Sequence, residues 1–115
     1  NSSRYAAANV RAHKGVGDIA KAKELSAANI VLYEEDSLVW VAHLEVNNDL
    51  PSDQLKALYL KAIPATQSNL DVMISYAKFS EKIGDKATAI AAWETARNVD
   101  PDNAGKYESE IARLR

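Results

Sequence analysis

The sequence predicts an all-α protein, a short stack of antiparallel helix pairs, and three observations carry that expectation. Ala, Leu, Lys and Glu run throughout, while four Gly and three Pro are too few for a many-stranded, turn-rich fold. Apolar residues recur at helical spacing in successive segments. A turn signal followed by alternate alanines also comes twice, at Gly17-Asp18 and Gly84-Asp85. Its offset of 84 − 17 = 67 residues is about two periods of 34.

The first pair is expected over residues 3–36. Its first helix runs to His13-Lys14, and Gly15-Val16-Gly17 forms a turn, since it lacks the Lys-Ser/Thr and preceding strand of a phosphate loop. After Gly17-Asp18, Ala20, Ala22, Leu25, Ala28 and Val31 mark the second helix. The second pair, residues 37–69, opens with Asp36-Ser37 as a cap before Leu38, Trp40, Val41 and Leu44. A turn over Asn47 to Ser52 leads to Leu55, Leu58, Tyr59, Ala62 and Ile63. The third pair, residues 70–103, is the clearest. Asn69 caps a helix carrying Met73, Ile74, Tyr76, Ala77 and Phe79. Gly84-Asp85 ends it and starts the next helix, with Ala87, Ala89, Ile90, Trp93, Ala96 and Val99. Asp100-Pro101 stops that helix, because the residue before Pro is driven out of helical geometry. Turns this short require each pair to pack antiparallel. A last helix over 104–115 places Tyr107, Ile111 and Leu114 on one side and Lys106, Glu108, Glu110, Arg113 and Arg115 on the other. That pattern suits a solvating cap on the stack.

Length and composition bound the function. A chain of 115 residues forms one small domain, and 47% apolar with 26% charged residues is ordinary for a soluble globular protein. Lys and Arg number 14 against 16 Asp and Glu, so there is no basic surplus for nucleic-acid phosphates or anionic lipid. The absence of Cys excludes disulfides, thiol catalysis and cysteine zinc sites, and is compatible with cytoplasm or periplasm. The longest apolar run, Leu38-Val39-Trp40-Val41-Ala42, is far short of a membrane span. A start at Asn1-Ser2-Ser3, without Met, points to a fragment of a larger protein.

No residue pattern points to catalysis, a metal or a cofactor. His13 and His43 fall in different pairs and neither has a ligand at metal spacing on its own helix face. His43 is expected to pack beside Leu44, and His13 to complement a helix C-terminus. Glu34-Glu35-Asp36 lacks the alternating oxygen ligands of a calcium loop and reads as one helix end and the cap of the next. No Ser lies in a nucleophile elbow. Trp40 and Trp93 are expected in the core.

The segment from Leu70 to Pro101 resembles the tetratricopeptide repeat. Ala77, Gly84, Ala89, Trp93, Ala96 and Pro101 stand at its small, turn, aromatic and terminal-Pro positions. Met73 and Tyr76 take the places of its Trp and Leu, and Ser80 departs from its usual Tyr. The middle pair keeps Trp40 but has Leu44 and Leu55 where small residues stand. The first keeps Gly17 and Ala22, with Ser26 and Asn29 at later signature places. Tyr76-Ala77-Lys78-Phe79-Ser80-Glu81 is also similar to the related half-a-TPR repeats. Either resemblance implies a right-handed α-solenoid that binds a protein partner, as a peptide or helix, in a groove lined by the first helix of each pair. The implied groove residues are Arg4, Ala7, Arg11 and Lys14; Leu38, Val41, Glu45 and Asn48; and Asp71, Ile74, Lys78 and Lys82. The Lys/Asn/Arg clamp of chaperone-tail binders is not reproduced, since Glu45 and Asn48 stand where part of it would be. The alternative reading is a spacer within a longer array, self-associating through exposed end pairs, as in secretion, export or assembly complexes.

Overall fold

The computed structural model describes residues 2–115, and they are all-helical. Seven α-helices follow one another: α1 (Ser2–Gly15), α2 (Ile19–Leu32), α3 (Ser37–Val46), α4 (Ser52–Ala65), α5 (Leu70–Lys82), α6 (Lys86–Val99) and α7 (Ala104–Leu114). A 3-10 turn over Pro101–Asn103 leads into α7. The chain divides into two compact units, the first ending at Thr66 and the second beginning at Gln67.

Local chemistry sets the boundaries, and it repeats. Gly17 and Gly84 have φ of +86° and +82°, left-handed values that a side chain disfavours. Each ends its helix in the same pair of bonds. Gly17 N–H donates to the Lys14 carbonyl at 3.0 Å and Asp18 N–H to the His13 carbonyl at 2.9 Å. Gly84 and Asp85 do likewise to Glu81 and Ser80, also at 3.0 and 2.9 Å. These are the two bonds of the Schellman closure. The following aspartate then caps the next helix, Asp18 accepting from the Lys21 amide and Asp85 from the Thr88 amide. Asp36 and Asn69 form a second matched set, each accepting from the amides two and three residues on.

In the first unit α1 and α2 pack together, α3 packs on both, and α4 packs on α3. One buried cluster of its core is made of small side chains, Ala7, Val10, Ala22, Ala42 and Val46 with Leu25 against them, and Trp40, Leu44, Leu55 and Tyr59 are buried as well. Small residues let helix axes approach closely. The expected face of α2 is corrected here. Ala20, Ala28 and Val31 are exposed, Val31 by 80%, while Ala22 and Ser26 are buried and Leu25 and Asn29 half-buried. At about 100° per residue, Val31 points roughly opposite to Ala22, so the two cannot share a face. Polar side chains fill the inward places instead.

In the second unit α6 packs against both α5 and α7. The inward set of α5 is Val72, Met73, Tyr76, Ala77, Phe79 and Ser80, and that of α6 is Ala89, Ala92, Trp93 and Ala96. Ala87 and Val99 were expected on this α6 face and are exposed. Ala87 lies nearly opposite Ala89, Val99 is the last residue of the helix, and Ala92 completes the stripe. Tyr107, Ile111 and Leu114 are the buried side of α7, as its pattern predicts. Tyr107 stacks on Trp93 with ring centroids 6.2 Å apart, and its hydroxyl donates to Asp100 Oδ2 at 2.7 Å. Asp100 also accepts from Asn103 Nδ2, so it organises the whole α6–α7 turn as well as ending α6.

Candidate partner-binding faces of the two units

In the first unit the implied groove residues lie on α1 and α3. Arg4, Arg11, Leu38, Glu45 and Asn48 are exposed, and Lys14 and Val41 are half-buried. Ala7 is the exception. It is 2% exposed, because Ser3, Ala7 and Val10 form the inward stripe of α1, and so it belongs to the core. The fold brings Arg11, Lys14 and Glu45 together. Arg11 Nε donates to Glu45 Oε2 at 3.2 Å, and Lys14 Nζ donates to the Glu45 carbonyl at 3.2 Å. The charged positions of α1 and α3 thus neutralise one another in part, and Leu38 and Val41 are the apolar contribution of α3. Lys23 holds Asp49 at 2.9 Å and pushes its carboxyl below the ordinary range.

In the second unit Asp71, Lys78 and Lys82 are exposed on α5 and Ile74 is half-buried. Lys78 and Lys82 border a depression of about 360 Å³ completed by Glu81, Trp93, Glu110 and Arg113. Arg113 is the hub of this wall. Its Nη2 donates to Glu81 Oε1 at 2.6 Å and to Glu110 Oε2, and Trp93 Nε1 donates to Glu81 Oε2 at 3.1 Å. The Arg113 hydrogen bond, above all, holds the Glu81 carboxyl below the ordinary carboxylate range, and the indole N–H adds to it. Sequence reading placed Glu110 and Arg113 on a solvated cap face and passed over Glu81. Their common signal was opposite charge on α5 and α7, the two helices that flank α6 in the chain.

The first unit also holds a polar contact that sequence reading did not foresee. Ser26 Oγ of α2 lies 2.7 Å from His43 Nδ1 of α3, and Asn47 Nδ2 lies 3.2 Å from the same nitrogen. His43 is 6% exposed and meets Trp40 edge-on, consistent with a packing role. Ser26 stands 93 − 26 = 67 residues before Trp93. Where the second unit sets an indole against Tyr107, the first sets a hydroxyl against an imidazole. A hydroxyl beside an imidazole has the spacing of a nucleophile and its base. Ser26 is 1% exposed within α2, so no substrate carbonyl reaches it.

His13, Asp36 and Glu34 make local contacts. His13 Nδ1 lies 3.7 Å from Asp18 Oδ2 at the end of α1. Asp36 caps α3, and the Glu34 carbonyl accepts from Trp40 Nε1 at 2.7 Å. Among the described residues no three His, Cys, Asp or Glu side chains cluster as a metal site, and no helix is long and apolar enough to cross a membrane. No protein-family model matches the chain, and no curated protein matches it.

Proposed function

We propose that this chain is a non-catalytic protein-interaction module of the tetratricopeptide type, a right-handed solenoid of three helix pairs with α7 as its cap. In this reading α1, α3 and α5 are the first helices of the pairs and present a peptide or helix of a partner with a mixed-charge face. The observation that carries it is exposure: ten of the eleven non-alanine groove residues sit on α1, α3 or α5 and the eleventh, Asn48, just after α3, and none is buried. The duplicated Gly-Asp turns, 67 residues apart and identical in their hydrogen bonds, support a repeating architecture. The ligand that suits such a face carries apolar anchors for Leu38, Val41 and Ile74 between charged residues of both signs.

A library of amphipathic peptides with leucine anchors and varied charge, displayed and selected on the chain, tests this. Selected peptides are expected to shift amide resonances of α1, α3 and α5. The double variant Lys78→Glu, Lys82→Glu is expected to weaken at least those peptides that reach α5 by tenfold or more without changing the melt, because both lysines are exposed. Peptides that map instead to α2, α4 and α6 would remove the proposal.

A second reading, a spacer that associates with its own copies, draws on Tyr5 and Leu32, which are 80% and 71% exposed on the first helix pair. Light scattering that shows a concentration-dependent mass would favour it.

A further inference from the structure

The contact between α2 and α3 surrounds a buried histidine with two polar side chains. Asn47 Nδ2 lies 2.8 Å from the His43 carbonyl oxygen, which only accepts, so the amide nitrogen and not its oxygen faces that way. The same nitrogen faces His43 Nδ1 at 3.2 Å. A donor beside Nδ1 favours a lone pair there, the arrangement of a neutral His43 with its proton on Nε2. Ser26 Oγ is the other neighbour of Nδ1, and its hydroxyl has an alternative acceptor in the Lys23 carbonyl at 3.1 Å.

We propose that His43 is a pH sensor whose protonation in mildly acidic solution loosens α3 from α2 and opens the first unit, while the second unit keeps its structure. A proton on Nδ1 would meet the Asn47 amide hydrogens and leave Ser26 Oγ as its one acceptor, on a ring that is mostly buried. No carboxylate stands by to receive the charge. From α1, Arg11 and Lys14 are engaged with Glu45 of α3, and His13 faces Asp18. From α2, Lys23 is engaged with Asp49. On α4, Asp53, Lys56, Tyr59 and Lys61 make no hydrogen bond or ion pair with the ring, whose polar partners are Ser26 and Asn47. The second unit contains no histidine.

Burial lowers the His43 pKa from its ordinary 6.5, in the same direction as the geometry. The unfolded chain therefore takes up a proton that the folded unit refuses. Stability from this group is complete above about 6.5 and is lost as pH falls toward the depressed folded value, by up to roughly tenfold in the folding equilibrium per pH unit. If α3 is the ligand-bearing helix proposed above, acid also releases the ligand. That consequence rests on the proposed function, whereas the test does not use a ligand.

The test is NMR of the full chain, with ring nitrogens observed directly, from about pH 7.5 to about pH 5. The expected result is a neutral His43 carrying its proton on Nε2, with α2 and α3 amides losing exchange protection together as pH falls and α5 and α6 amides keeping theirs. A His43 ring that protonates while α2 and α3 stay protected would overturn the proposal, as would a proton on Nδ1 at neutral pH. Asn47→Asp supplies an acceptor where the amide donor stood and is expected to move the acid transition to lower pH. An Asn47→Asp profile that overlays the wild type also overturns it. His43→Gln is expected to flatten the dependence between these pH values, and a fold retained with the wild-type pH dependence counts against the sensor. His13 is unchanged in both variants, so its titration cancels in the comparison.

Discussion

Trp93→Ala probes what holds the second unit together. The indole is 4% exposed, lies against Tyr107 at an interplanar angle of 26°, and donates its N–H to Glu81. Truncating a large core aromatic to Ala costs about 3–5 kcal/mol. Loss of the Tyr107 stacking, about 0.5–1.5 kcal/mol, places this site toward the top of that range. The second unit has 115 − 66 = 49 residues. At about 0.05–0.15 kcal/mol per residue, its whole stability is only about 2.5–7 kcal/mol. The Ala variant is therefore expected to leave the second unit with at most about 2 kcal/mol of stability, or unfolded without denaturant. Trp93→Phe keeps a ring beside Tyr107 but removes the bond to Glu81, about 1–2 kcal/mol for a partly exposed charged acceptor, together with part of the buried indole, so its loss lies between wild type and Ala. Urea titration followed by circular dichroism, with amide resonances of α5 to α7 read separately, should order the proteins wild type, Phe, Ala. An Ala variant with the wild-type midpoint would refute both the burial of Trp93 and its place in the register.

Gly17→Ala and Gly84→Ala are expected to lower thermal stability by similar amounts, about 1 kcal/mol each. No atom lies within 4 Å of either added Cβ, so the loss is one of backbone conformation alone, and a neutral result at one position would separate the two turns. The second unit should also weaken in acid. Glu81 has a depressed pKa, so its contribution is present above the ordinary carboxylate value of 4.5 and lost as pH falls through the lower folded value. Arg113→Gln is expected to reduce that acid sensitivity in melts of the chain, and an unchanged pH slope would show that the Arg113–Glu81 bond does not stabilise the fold.

Helix boundaries were the most legible feature. Asp18, Asp36, Asn69 and Asp85 all cap helices as their side chains predict, because an N-cap needs only a short acceptor and the next few amides. The buried faces of α5 and α7 were legible for a similar reason, since large apolar residues there recur at helical spacing. The face of α2 was not. Alanines lie all around that helix and do not distinguish one side from another, while the inward positions are held by Ser26 and Asn29. A buried Ser reads as surface until its partner is known, and that partner, His43, comes from another helix 43 − 26 = 17 residues away.

The candidate faces divide along the same line. That Arg11, Glu45, Lys78 and Lys82 face outward is what the resemblance implies, and their exposure agrees. Which charges meet does not follow. Arg11 with Glu45 is separated by 34 residues and Glu81 with Arg113 by 32; the first pair forms where α3 packs on α1, the second where α5 and α7 both pack on α6. The amino-acid sequence alone thus determined an all-helical chain, the ends of its helices and the doubled Gly-Asp turn, since capping and φ preferences act within a few residues. Tertiary structure decided that Ala7 is core, that Arg113 bridges α7 to α5, and that His43 is buried against Ser26 and Asn47. Burial and charge pairing depend on what the opposite helix presents, and no local pattern encodes that.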